Sequence, residues 1–134
     1  LDTVVANFLG ASNILPARCV GRDGDAAVLE TETFGRVPVP AAKAPNVSGE
    51  GPAKLVVRAE KLQLSPREAP ADGVVAVDAT VEAVDYQGQA VRYFVRAGDR
   101  HLQAINMIDE RPFAEGAPVS LRLRPRDCAA LPVS

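Results

Sequence analysis

Between Gly73 and Tyr86 the chain alternates so that Val75, Val77, Ala79, Val81 and Ala83 fall on one face of an extended strand. This run exceeds the usual strand of about 3–10 residues. A strand that long needs a bulge or bend, as the walls of small barrels do. A chain built around it is predicted to be all-β.

The rest of the sequence reads in the same way. Residues 13–20 form a strand, with Pro16 placing it at a sheet edge or its first residues. Arg22-Asp23-Gly24-Asp25 is hairpin-turn chemistry, followed by a return strand at Ala26–Glu32 and a short strand at Arg36–Val39. Pro40–Pro52 and Ser65–Asp72 are connectors rich in small residues and proline. Lys54–Arg58 is a buried strand, and 59–65 is either a short helical turn or extended chain. After the long strand, Tyr86–Gln89 and Ala97–Asp99 turn the chain around strands at Ala90–Arg96 and Arg100–Asn106. Glu110–Gly116 reads as a loop or short helix. Val119, Leu121 and Leu123 mark a final half-buried strand, and Asp127–Leu131 reads as one helical turn. Val4, Val5, Phe8 and Leu9 suit an amphipathic helical turn stopped by Gly10. About eight short antiparallel strands joined by turns are expected to form a closed or partly closed barrel, because closure removes exposed edges. No internal repeat is visible at the residue level.

Composition limits the function more than it defines it. At 134 residues the chain suits one domain with a real core. Its formal charge of −2 gives no general attraction to nucleic acid or anionic membrane. No apolar run approaches the ~20 residues of a spanning helix. The opening Leu1-Asp2-Thr3-Val4 lacks the regions of a signal peptide, and a start at leucine suggests a piece of a larger protein. Cys19 and Cys128 are too far apart for a CxxC motif and read as reduced, buried thiols, with a structural disulfide between the two ends as the alternative.

Catalytic chemistry is not legible. There is no GxxxxGK followed by Ser or Thr, and the glycine-bearing stretches 21–24 and 48–51 carry acids that would repel phosphate. The single histidine, His101, makes no zinc set with two distant cysteines and reads as a solvated strand residue. Ser12, Ser48, Ser65 and Ser120 have no nucleophile-elbow setting. The chain is therefore expected to be no enzyme, to need no cofactor or metal, and to bind no nucleic acid.

Two groups of charged residues stand out. Arg92, Phe94 and Arg96 share a strand face, with Arg122 and Arg124 expected nearby; together they form a candidate ligand face or an outward charged face screening the barrel. Glu82 and Asp85 are placed to pair with those arginines. Arg58 and Glu60, two apart in extended chain, point to the same side, as a surface ion pair or as an interface.

Three phrases in order then carry a resemblance. Phe8-Leu9-Gly10-Ala11-Ser12-Asn13 is similar to an F-I-G-x-x-N phrase, and Val57-Arg58-Ala59-Glu60-Lys61-Leu62 to V-R-P-E-x-I/L, with Ala59 in place of the usual proline. A later V-x-x-x-x-Y-x-G-x-x-x-x-Y-x-V pattern appears as Val81, Tyr86, Gly88, Tyr93 and Val95, and D-x-x-x-L as Asp127–Leu131. The chain thus resembles the transport-associated OB-like (TOBE) domain that follows the nucleotide-binding domain of importer-type ABC transporter ATPases. Its Ser12-Asn13-Ile14-Leu15-Pro16 wording looks most like the spermidine/putrescine branch, with iron, thiamine and sugar importers close behind.

That resemblance implies residues 1–10 as the end of a linker from an absent ATPase domain and 11–134 as the TOBE domain. It implies an accessory, regulatory and dimerisation role, with ATP and Mg belonging only to the upstream domain. The implied partners are a second copy of the subunit, its own ATPase domain and, indirectly, permease subunits at the inner face of the cell membrane. Arg58, Glu60, Phe8 and Leu9 are the implied interface candidates. Two alternatives remain open: an oxyanion-binding barrel, since related TOBE-like domains bind molybdate-type anions, and an OB-type nucleic-acid binder.

Overall fold

The computed structural model describes residues 12–44, 47, 49–66, 73–108 and 112–132. Within them ten strands form two five-stranded antiparallel sheets. The strands are β1 (Ser12–Asp23), β2 (Ala26–Thr31), β3 (Gly35–Pro40), β4 (Gly51–Arg58), β5 (Gln63–Ser65), β6 (Val75–Gln87), β7 (Ala90–Ala97), β8 (Arg100–Met107), β9 (Pro118–Leu123) and β10 (Cys128–Pro132). The all-β, OB-like reading holds, with more strands than the sequence suggested. The helical turn expected at 4–9, and with it Phe8 and Leu9, lies outside the described residues.

The sheet orders are β10-β4-β1-β2-β3 and β5-β9-β6-β7-β8. Written this way, the chain is a duplication. In each half a long first strand pairs by its N-terminal part with the fourth strand and by its C-terminal part with the second. Each long strand carries a bulge just past that handover, at Val20 in β1 and Glu82 in β6. The bulge expected in the Gly73–Tyr86 run is thus present, and it has a counterpart sixty-two residues earlier. Both first hairpins close through a two-residue turn led by glycine, Gly24 at φ 62° and Gly88 at φ 65°. A positive φ at the first turn position twists the hairpin as the strands require.

The fifth strands are exchanged. β5 leaves the first half and pairs with β9 of the second, while β10 leaves the second half and pairs with β4 of the first. A 3-10 turn precedes each exchange, Ala59–Lys61 before β5 and Pro125–Asp127 before β10. This corrects the reading of the tail: Asp127–Leu131 is not a helical turn but the end of a 3-10 turn running into strand β10. The four-residue Asp–Leu spacing reads as helix locally, yet pairing with β4 satisfies the backbone of Cys128–Pro132 instead. The segment 59–65 divides likewise into a 3-10 turn and a strand.

Packing follows the alternation. Leu15, Leu29, Leu55, Leu62, Leu121 and Leu123 are fully buried, as are Val57, Val81 and Val95. They belong to one cluster that runs through both halves. β9 is more enclosed than a half-buried strand, because Ser120 on its second face is also buried, opposite Asp78 of β6 and Ser65 of β5. Pro16 lies in the part of β1 that has β4 as its only ladder neighbour, so its missing N–H is tolerated there. Cys19 and Cys128 are buried and free. They sit opposite Gly51 and Val57 of β4. Six residues of extended strand, about 20 Å, separate those positions, beyond disulfide reach.

Candidate functional site

The two crossover segments meet around one cavity. Its polar lining comes from Glu60 and Lys61 of the first 3-10 turn, Gln63 of β5, Arg122 and Arg124 on and beyond β9, and Asp127 of the second turn; its volume is about 520 Å³. The local structure explains why these groups gather around one hollow. The first turn is pinned by buried Ala59 and Leu62, whose amide donates to the Ala59 carbonyl at 3.2 Å. The second turn opens on Pro125, whose fixed φ suits a first helical position, and the Asp127 amide donates to the Arg124 carbonyl at 2.8 Å. Gln63 lies directly across from Arg122 in the β5–β9 ladder, and Arg124 follows two residues on. In extended chain that spacing puts the two arginines on one side, about 7 Å apart along the strand.

Arg58 and Glu60 form the surface ion pair their spacing suggests. Arg58 Nε donates to Glu60 Oε1 at 2.6 Å, with both side chains about half exposed. Such a pair contributes about 0–1 kcal/mol to stability. Glu60 also lines the cavity, so its carboxylate there is already engaged by Arg58.

The four candidate arginines lie on the same outward side of the second sheet but do not gather at one point. Arg122 and Arg124 share the cavity, but Arg92 and Arg96 stand on β7, with β6 between them and β9. Arg96 is opposite Thr80 of β6, whereas Arg122 is opposite Ala76, four residues away along the same strand. The expected ion pairs also differ. Glu82 is engaged by His101, with Nδ1 to Oε1 at 2.7 Å, and Asp85 accepts from Gln87 Nε2 at 3.1 Å. Among the described residues neither acid bonds to Arg92 or Arg96. The bulge at Glu82 takes that side chain out of the regular alternation.

Two asparagines were not singled out by sequence reasoning, and both span the halves. Asn13 Nδ2 donates to the carbonyls of Gln103, at 2.8 Å, and Val57, at 3.3 Å, while its Oδ1 accepts from the Gln103 amide at 2.8 Å. Asn106 Nδ2 donates to the Leu62 carbonyl at 2.8 Å, and its Oδ1 accepts from the Leu64 amide at 2.9 Å. Each side-chain amide pairs as a peptide unit would, so β8 is bonded to the first half by side chains where no ladder exists. The one available signal for Asn13 was its place closing the F-L-G-x-x-N phrase; Asn106 had none.

A larger groove of about 840 Å³ lies beside this junction, between β5, the end of β8 and Phe113. Tyr93 packs edge-on to Phe113, with ring centres 6.1 Å apart, and its hydroxyl accepts from the Phe113 amide at 3.0 Å. Among the described residues no three His, Cys, Asp or Glu side chains gather as metal ligands, and no helix is long and apolar enough to cross a membrane.

The fold is similar to that of the cytoplasmic molybdate-binding protein ModG in its PEG-grown form with molybdate bound, with a TM-score of 0.71 and 9% sequence identity, over 90% of this chain and 96% of that one. The chain belongs to the TOBE domain family, whose model matches residues 55–131. That stretch runs from the buried Leu55 of β4 through both crossovers to β10. No curated protein matches the chain in sequence.

Proposed function

We propose that this TOBE domain is the accessory, regulatory and dimerisation domain of the ATP-binding subunit of an importer-type ABC transporter. The observation that carries the reading is the family match over 55–131, which includes the Val57–Leu62 phrase. ATP and Mg are handled by an ATPase domain upstream, and the protein works in the cytoplasm against the inner face of the membrane, through permease subunits. A polyamine is the transported substrate favoured by the Ser12–Pro16 wording, ahead of iron, thiamine or sugar.

The architecture suits that task physically. Exchanged strands and asparagine bridges tie two barrels into one stiff body, and a stiff body passes on rigid rotation with little internal deformation. The exposed Arg58–Glu60 pair sits on the turn where the halves cross and is the interface candidate, with Phe8 and Leu9 at the junction to the ATPase domain. Sedimentation of the ATP-binding subunit with and without this domain tests the role: the domain should strengthen dimerisation, and identical monomer–dimer equilibria would refute it.

A second reading is favoured by the basic cavity. Lys61, Arg122 and Arg124 line it together, and ModG, which shares the fold, is a molybdate-binding protein. On this reading the domain binds an oxyanion, as an effector within a transporter or on its own account. Calorimetric titration with molybdate and other oxyanions tests it, and the absence of heat would remove it.

A further inference from the structure

The outer face of the first sheet is apolar at its centre and charged with one sign. β1, β4 and β10 pair so that Ile14, Val56 and Ala129 lie side by side, and Pro16, Lys54 and Leu131 form the next row. Ser12 and Arg58 are opposite each other at one end, Arg18 and Pro52 at the other. These residues point away from the core, because Asn13, Leu15, Ala53, Leu55, Val57 and Ala130 between them are buried. Ile14 is 51% exposed and Leu131 46%. Arg18, Lys54 and Arg58 are the charged residues of the face, all cationic on a chain whose net charge is −2.

Neighbouring acids do not cancel those charges. Arg58 is held by Glu60 at 2.6 Å. Glu30 stands opposite Arg18 on β2 but pairs with Arg36 at 3.4 Å. Glu32 and Arg100 share a hollow beside Arg18 and offset each other. Among the described residues Arg18 and Lys54 make no ion pair. Two positive charges are therefore left over beside exposed apolar side chains. The Arg58–Glu60 contact shows that a carboxylate settles at the edge of this face.

Size and charge select the occupant. Three strands about 4.8 Å apart span about 10 Å, and Ser12 to Arg18 runs about 20 Å along β1. That is well under the ~800 Å² per partner of a stable protein–protein interface. An extended segment of about six residues covers it. A second copy of the chain is disfavoured, since pairing the same face with itself sets cations against cations.

We propose that the outer face of β1, β4 and β10 docks a short acidic segment of a partner protein, its apolar side chains on Ile14, Val56 and Leu131 and its carboxylates on Lys54 and Arg18. The face lies on the opposite side of β4 from the buried core and does not depend on either reading of function above.

A heptapeptide array probed with the labelled full chain at low ionic strength tests the proposal. Bound sequences should carry Asp and Glu flanking Leu, Ile or Val. The best of them should bind in solution at least tenfold more tightly than its Lys-for-Glu analogue, read by fluorescence anisotropy. Lys54→Glu should weaken that binding at least tenfold, and Ile14→Gln combined with Leu131→Gln by a similar factor. Arg96→Gln, on the second sheet, should leave it unchanged, and thermal melts of every variant establish that the fold is intact. No bound peptide, selection of basic peptides, or indifference to Lys54→Glu overturns the proposal. Self-association that Leu131→Gln abolishes overturns it in favour of a second copy. Binding to phosphatidylglycerol vesicles in place of peptide, lost in Lys54→Glu, overturns it in favour of a membrane.

Discussion

Asn13 and Gln103, ninety residues apart, are joined by two reciprocal 2.8 Å hydrogen bonds that replace a backbone ladder with a side-chain amide. Asn13 is buried, and the same amide nitrogen also reaches the Val57 carbonyl. One polar residue on β1 therefore holds the outer strand of the second sheet against the first.

Replacing Asn13 with Ala should destabilise the domain by about 2–3 kcal/mol, because the Gln103 amide and carbonyl lose their partners in a partly buried place. Asn13→Asp should do no better, since it keeps the acceptor but turns a charged oxygen toward two carbonyls. Urea unfolding curves check both, and a loss below about 0.5 kcal/mol would show that water substitutes for the amide.

Asn106 makes a more local prediction. Its side chain takes the Leu64 amide and the Leu62 carbonyl, which closes the second barrel between β8 and β5. In Asn106→Ala the Leu64 amide should exchange its hydrogen much faster, while amides in the β6–β7 ladder keep their protection. Hydrogen exchange followed residue by residue reads this directly.

Cys128 gives the stability a defined alkaline limb. Burial pushes its thiol up from 9.0 to about 12, with the Asp127 carboxylate adding to the rise and Lys43 opposing it. A raised folded-state value means that the unfolded chain loses this proton first. The stability tied to the thiol is therefore complete below about pH 9 and falls as pH climbs from about 9 toward 12. Cys128→Ala should flatten that fall, measured by urea unfolding at neutral and alkaline pH against the parent chain. In a Cys19→Ala background the native thiol should also resist alkylation at pH 8 and react once unfolded.

The Arg58–Glu60 pair separates interface from scaffold. Exchanging the two residues, Arg58→Glu with Glu60→Arg, should change stability by no more than about 1 kcal/mol, as expected for a half-exposed pair. If the turn is an interface, the same exchange should weaken association of the ATP-binding subunit by an order of magnitude or more in sedimentation. Unchanged association assigns the pair to the surface alone.

What the sequence shows and hides follows from the range of each signal. The alternation of Val75 to Ala83, the glycine-led turns and the strand partners were legible because they are local patterns. The exchange of β5 and β10 was not, since the pairing of Cys128 with Val57 is a long-range choice and Asp127–Leu131 has helical spacing. The duplication survives as shape more than as letters. Leu55-Val56-Val57-Arg58-Ala59 and Leu121-Arg122-Leu123-Arg124-Pro125 occupy equivalent places before the two crossovers, sharing buried first and third residues and an arginine. The proline absent at position 59 is present at its counterpart, Pro125. Of the candidate site, Arg58–Glu60 was legible from spacing alone. The separation of Arg92 and Arg96 from Arg122 and Arg124 required the strand order.

Whether this TOBE domain serves an ABC importer ATPase is decided by the coding sequence upstream of Leu1. A continuous frame is expected there, encoding a GxxxxGK motif followed by Ser or Thr within a nucleotide-binding domain that leads into Phe8-Leu9-Gly10. A start codon close to Leu1, or an upstream frame without a phosphate-binding loop, would contradict it and leave the oxyanion-binding reading in its place.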